Sequence, residues 1–411
     1  MRLDRFGKIV SVGLALSLLA TGCSDDDSDD ASNETTTTEV AGTTGAGDET
    51  EATLALDDAD ALAAATTYAD VVHQAYSDTI TAAEELRTSI QALVGTPSEA
   101  TLAAARQSWV AARALYGPTE AFRFYDGPID DPDDGPEGQI NAWPLDEAYI
   151  DYTVDTPDSG IVNDVANVPE ITLDVVVAAN EEGGETNIST GWHAIEFLLW
   201  GQDLSAEGPG ARPANDFDTA PNADRRKTYI TLLADLLISD LTSVRDQWAT
   251  DGEYRGEFLA DPPKAVENIL RGMGALSAGE LAGERMAVAY ETKLQEDEHS
   301  CFSDNTHNDI LGNARGIRLA YTADYPGIAG TSLSEVIAKL DPDLDEDLRK
   351  QLDNNVAAAE SLQAPFDQLI LAGDDDPARA ELLELIEDLQ SQGDAIATMA
   401  SNLGMQISIE I

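Results

Sequence analysis

In the run Gly191-Trp192-His193-Ala194-Ile195-Glu196-Phe197-Leu198-Leu199-Trp200-Gly201-Gln202-Asp203, a histidine and a carboxylate stand three residues apart among apolar neighbours. On a helix that spacing brings both heads to one face. A neutral imidazole and a carboxylate are good ligands for zinc or iron, and a dry surround would strengthen a charge interaction between them. The same pair can equally bond to each other or to a neighbouring helix, and spacing alone does not separate these uses. His-x-x-Glu is less specific than His-Glu-x-x-His, which sets two imidazoles and a general base on one helix and does not occur in this chain. Thr190 as N-cap and Gly201 as the residue after the last turn predict a helix of about ten residues to carry the pair.

A second concentration of ligand types is Glu296-Asp297-Glu298-His299-Ser300-Cys301-Phe302-Ser303-Asp304-Asn305-Thr306-His307. Its histidines, thiol and carboxylates can all ligate a transition metal, while Glu298 and Asp304 can as well cap helices and Cys301 can be an inert buried thiol. A third feature is Trp109, Arg113, Tyr116 and Glu120, which follow one another at steps of four, three and four. If the helix survives Gly117-Pro118 they share a stripe, and Arg113 and Glu120 reach either a polar site between helices or an ordinary ion pair at a core edge.

Gly191, His193 and Glu196, continuing into Phe-Leu-Leu-Trp-Gly-Gln-Asp, resemble the Gly-x-His-x-x-Glu signature of the imelysin-like family. The stretch Ile140-Asn141-Ala142-Trp143-Pro144-Leu145-Asp146-Glu147-Ala148-Tyr149-Ile150-Asp151-Tyr152 supports the match, and the segment from Glu296 to His307 is similar to the iron-regulated branch of that family. The resemblance spans about residues 60 to 405. It implies an all-α protein of two helical-bundle domains, with long irregular loops in the first half. Residues 60–250 would form the N-terminal bundle with the His-x-x-Glu motif, and residues 251–411 the C-terminal one.

The residues preceding these bundles read as targeting and tether. Arg2, Arg5 and Lys8 lead into an apolar run from Ile9 to Ala20, too short to span a bilayer as a mature helix. Leu19-Ala20-Thr21-Gly22-Cys23 then resembles a bacterial lipobox, so residues 1–22 are expected to be a signal peptide and Cys23 the lipidated residue. A soluble secreted chain in which Cys23 is incidental is the competing reading. Residues 23–59 are acidic and nearly free of apolar side chains, which cannot offset the entropy of ordering, and are expected to be a disordered tether. With Cys23 acylated, Cys301 has no partner, so no disulfide framework is expected.

The chain's 411 residues suffice for two cores, and its low aromatic content of 6% favours helices packed through alanine and leucine. A formal net charge of -55 repels nucleic acid and anionic lipid and attracts cations in general. Scarce lysine with abundant aspartate is also what a saline habitat selects. Apolar periodicity predicts a long helix from about Asp60 with Leu62, Ala65, Ala69, Val72, Tyr76, Ala83, Leu86, Ile90 and Leu93 inward, ended by Gly95, with His73 at its flank. Thr96-Pro97-Ser98-Glu99 reads as a capping box opening the next helix, whose stripe is Leu102, Ala105, Trp109, Ala112 and Tyr116. Residues 126–190 keep no long helical period, and Ile171 to Ala179 fits a strand or a helix turn. Later helices are expected from Asp224, from Asp261-Pro262-Pro263, from Leu344 to Leu371 and after Asp376-Pro377.

These readings point to a lipid-anchored protein of the bacterial envelope that binds a divalent or ferric metal, iron preferred and zinc possible, and serves iron acquisition. The candidate metal ligands are His193, Glu196, Glu120, Glu298, His299 and His307. Its partners would be the metal ion or an iron carrier, the membrane through the lipid alone, and envelope transport proteins; nucleic acid is not one. The alternative is a metal-dependent peptidase of the imelysin type, with His193 and Glu196 as ligand and as ligand or base to a metal-bound water. A catalytic zinc usually has three protein ligands, of which this helix offers two.

Overall fold

A computed structural model describes residues 54–411, Ala206 excepted. The expected signal peptide, Cys23 and the tether as far as residue 53 lie outside the described residues. Those residues are all-α, with no strand among them, and no helix among them is long and apolar enough to cross a membrane.

The first helix, α1 (Asp58–Gly95), starts where the Asp57 carboxylate accepts the Ala59 and Asp60 amides. Its expected stripe from Ala65 to Leu93 is buried, but Leu62 is 41% exposed. Ala61 and Ala65, one turn apart, hold the buried face there and turn Leu62 outward. Helix α2 (Glu99–Tyr116) packs along α1. Its capping box differs from the expected one: Ser98 is the N-cap and Thr101 closes the box, so Pro97 precedes the helix. At Gly117-Pro118 the chain tightens into a 3-10 turn, Gly117–Phe122, which keeps Glu120 inside with Trp109, Arg113 and Tyr116.

Residues 126–190 wind through short helices, among them Leu173–Ala179, so the ambiguous segment is helical. Helix α3 (Gly191–Trp200) follows at the predicted bounds and packs on α2 and on α4 (Ala223–Gln247). Helix α5 (Pro262–Gly274) does not break at its glycines but widens into a π-helical stretch, Ala275–Ala287. Helix α6 (Thr306–Thr322) lies across the 3-10 turn. The approach is close: a Cβ on Gly316 would stand 2.3 Å from the Pro118 carbonyl oxygen.

The helix expected from Leu344 to Leu371 is two pieces, α7 (Pro342–Ser361) and a short Phe366–Leu371. Pro365 explains the break, since it lacks an amide proton and drives the preceding residue out of helical geometry. The last helix, α8 (Pro377–Asn402), has the expected Asp376 cap and packs on α5, α7 and the π stretch. One apolar cluster runs from Ala61 to Met405 and takes residues from both sides of residues 251–263, where Glu253–Ala260 forms a further helix.

Candidate functional site

Helix α3 is held at both ends by chemistry that its sequence predicts only in part. Gly191 has φ +82°, and a Cβ there would lie 2.4 Å from the Ile140 carbonyl oxygen, so only glycine lets the helix begin against that strand of chain. Thr190 does not cap through its side chain; its hydroxyl donates to Asn180 Oδ1 at 3.1 Å. At the other end Arg106 donates to the carbonyls of Leu199 (2.9 Å) and Arg212 (2.8 Å), a cation where the helix dipole is negative. Trp109 Nε1 donates to the Trp192 carbonyl at 3.1 Å and ties α2 to the same helix. All ten residues of α3 are buried.

His193 Nδ1 lies 3.0 Å from Glu196 Oε2, the i,i+3 pairing that the spacing allows. The other carboxylate oxygen of Glu196 accepts the Ser303 amide (2.9 Å) and hydroxyl (2.7 Å). Burial pushes the Glu196 carboxyl up to about 8, against the lowering effect of the Ser303 bond. The His193 imidazole is held well below its usual value, first by burial and then by its neighbour His299. Its Nε2 is buried with no hydrogen-bond partner.

The His299 ring stands against it at 4.7 Å between centroids and 65° between planes. Here the loop before α6 and the first turn of α6 together supply a second pair: His299 Nδ1 lies 2.9 Å from Asp309 Oδ2, which the Ser300 hydroxyl also reaches. Arg113 Nε donates to Asp309 Oδ1 at 3.1 Å and its Nη2 lies 3.3 Å from His299 Nδ1. Burial by itself would raise Asp309, but the Arg113 charge and the His299 bond outweigh it and hold this carboxyl well below the usual range. Arg113 also donates to Asn141 Oδ1, and Asn141 Nδ2 donates to Glu120 Oε1 at 2.8 Å.

Glu120 receives Arg285 in fork fashion, at 2.7 and 2.8 Å, and the Asn313 amide at 2.8 Å. Arg285, with the Arg113 charge behind it, outweighs burial and draws the Glu120 carboxyl down to about 2. Arg285 comes from the π stretch, where residues five apart face each other, and it donates to Glu280 Oε1 at 2.7 Å. The structure therefore brings His193, Glu196 and His299 together and links Glu120 to them through Asn141 and Arg113.

Two other expected ligands stand elsewhere. Glu298 is buried but neighbours Asp203, Asp304 and Asp367, and His307 is half-buried on α6 with its Nδ1 unpartnered. Among the described residues, no three His, Cys, Asp or Glu side chains are spaced to hold one ion as they stand. Asp309, Arg285, Ser303 and Asn141 are site residues that the sequence reading did not select. Asn141 and Ser303 lie inside stretches that it did quote. Arg285 had one local signal, a lone cation between Leu281-Ala282 and Met286.

The imelysin family model, which carries a peptidase heading, matches residues 72–396. The chain belongs to the imelysin family. Iron-regulated protein A of Synechococcus elongatus is 25% identical to this imelysin over 293 residues, covering 68% of this chain and 70% of that one. A crystal structure named for an iron-regulated protein A precursor of Parabacteroides distasonis shares the fold, with a TM-score of 0.65 and 20% identity over 85% of this chain and 97% of that one.

Proposed function

We propose that this imelysin is an iron-acquisition protein of the cell envelope that takes up a transition metal, iron in preference to zinc, at His193. The observation that carries the reading is the unpartnered Nε2 of His193. Burying a ring nitrogen without a partner is costly, and in the tautomer whose proton is on Nδ1, facing Glu196, this nitrogen offers the enclosed lone pair that a metal ion requires. His193 supplies that nitrogen, Glu196 bonds the ring from its Nδ1 side and fixes its orientation, and His299 brings a second imidazole into contact with it. Two relatives carry iron regulation in their names, which favours iron as the cargo.

Binding is favoured over peptide hydrolysis because His193 and Glu196 are 1% and 0% exposed, which leaves a peptide no approach to a metal-bound water. The peptidase reading draws on the family heading and on a Glu196 carboxyl that titrates near neutrality, as a general base would. Lipid attachment at Cys23 completes the proposal, as the means of holding the protein at the envelope.

Anaerobic titration of the chain from residue 24 with ferrous iron, in high salt to screen the acidic surface, tests the cargo. One equivalent bound by the native chain and none by a folded His193→Ala/Glu196→Ala variant is expected. Cleavage of a generic peptide that chelator abolishes and this double variant lacks would instead establish the peptidase. For the anchor, Cys23→Ser is expected to release the protein from the envelope fraction, and unchanged membrane attachment would contradict it.

A further inference from the structure

The side chains that meet the two imidazoles are buried, with one exception. Glu196, Asp309 and Arg113, the hydrogen-bond partners of His193 and His299, all lie inside. Trp143 is only half-buried, and its indole stands against the His299 ring at 5.7 Å between centroids and 78° between planes. The His299 ring in turn meets His193 at 4.7 Å, so three rings in contact lead from the surface to the residue with the unpartnered Nε2.

The backbone that carries this indole is held at two firm points and loosely between them. Asn141 is fixed by its amide to the Glu137 carbonyl (2.9 Å) and by its side chain to Arg113 and Glu120, and the Asp146 amide donates to the Thr186 carbonyl at 2.7 Å. Between them Ala142, Trp143, Pro144 and Leu145 make no backbone hydrogen bond to any described residue. Their one side-chain bond runs from Trp143 Nε1 to the Glu298 carbonyl, at 3.0 Å. All four are half-buried or exposed, and a segment with so few bonds opens locally far more easily than the core around it.

Beside the indole there is room for an ion to wait. Trp143 lines a cavity of about 40 Å³ together with Leu145, Glu147, Glu296, Cys301 and Phe302. A water or a small ion fits such a space, and a peptide does not. Glu147 and the exposed Glu296 supply carboxylates there, which draw in cations and turn away anions. Phe302 also packs on Phe197 of α3, at 5.1 Å between ring centroids, so one wall of the cavity rests on the helix that carries His193.

We infer, on the reading of His193 as a metal ligand, that Trp143 is the gate through which a small cation passes from this cavity to His299 and His193. Swinging the indole outward breaks its bond to Glu298 and uncovers His299, while Asn141 and Asp146 keep the ends of the segment in place. Trp143 does not itself ligate the ion, so it sets how fast the metal comes and goes and not how tightly it is held.

Two measurements on the chain from residue 24 test the gate, the first of them without metal. Diethyl pyrocarbonate acylates neutral imidazoles, and mass spectrometry of the digest reads each of the four histidines separately. Trp143→Ala, checked for native circular dichroism, should raise the His299 rate roughly tenfold and leave half-buried His73 unchanged. In stopped-flow binding of zinc the same variant should speed association and release together by about tenfold, with affinity within about twofold of the native value. Should Trp143→Ala not fold, Trp143→Leu, which keeps an apolar side chain but loses the bond to Glu298, decides in both assays. An unchanged His299 rate in a folded variant overturns the gate whether or not metal binds. Faster acylation with no zinc bound by the native chain overturns the metal reading of His193, and the cation route with it. Release that quickens alone, with affinity falling to match, would make Trp143 part of the binding site and contradict a gate.

Discussion

Two histidine–carboxylate pairs sit ring against ring in this imelysin, and their carboxyls differ in charge: one is ionised and the other holds its proton. In both, Nδ1 lies about one hydrogen bond from an oxygen, 3.0 Å for His193–Glu196 and 2.9 Å for His299–Asp309, and all four residues are buried. Asp309 is nevertheless held ionised while Glu196 keeps its proton up to about pH 8. The difference is one guanidinium. Arg113 bonds directly to Asp309, whereas Glu196 meets, besides His193, the neutral amide and hydroxyl of Ser303. Burial sets the default, a neutral carboxyl, and an adjacent fixed cation reverses it. The pair without its own arginine is the one with a ring nitrogen to spare, which makes it the better host for a metal cation.

Removing that cation breaks the comparison most severely. Arg113→Met retains the stem but leaves Asp309 buried and uncompensated, and urea denaturation should report a loss of about 3–5 kcal/mol, the usual effect of deleting one partner of a buried pair. Next in size is Gly191→Ala, which forces a Cβ into the Ile140 carbonyl at a positive φ and should cost about 1–3 kcal/mol in the same assay. A loss under about 0.5 kcal/mol would mean that the start of α3 is not held as described.

A subtler pair of variants sharpens the contrast through pH. The Glu196 carboxyl is raised from the ~4.3 of an unfolded chain to about 8. Between those values the folded state holds a proton that the unfolded state has lost, so this group's contribution to stability falls as pH climbs through that window. Glu196→Gln should therefore flatten the decline of the urea midpoint between about pH 5 and 8. Asp309 is depressed, so its contribution is present above ~3.9 and is lost as pH falls towards its folded value. Asp309→Asn should flatten only the acid side. Identical profiles in the two variants would show that the pairs do not differ in charge.

Much of this architecture can be read from local patterns. The buried face of α2 and the Asp376-Pro377 start of α8 follow from apolar spacing and a cap, which act within a few residues, and the bounds of α3 fall where expected although Thr190 bonds Asn180 and not its own helix. The site is legible only in fragments, because its partners are distant in the chain: Arg113 meets Asp309 across 196 positions and Glu120 meets Arg285 across 165. Spacing announced the His193–Glu196 pair and the stripe that carries Arg113 and Glu120. It could not announce that a π-helical stretch would set Glu280 beside Arg285, nor that Glu298 and His299, adjacent in sequence, would face different clusters. Leu62 and Pro365 mark failures of another kind, where the smaller Ala61 took the core position and a proline ended a helix whose apolar period continued.

The most direct test of the central claim uses the chain's four histidines, few enough to resolve individually by ¹⁵N imidazole NMR. Zinc, a diamagnetic stand-in for iron, would be added to histidine-labelled protein at high salt. A large shift of His193 Nε2, with His299 perturbed beside it and His73 unmoved, is the predicted result. Stoichiometric zinc binding that leaves His193 Nε2 at its metal-free position would contradict the account, since the cargo would then be held by some other part of the molecule.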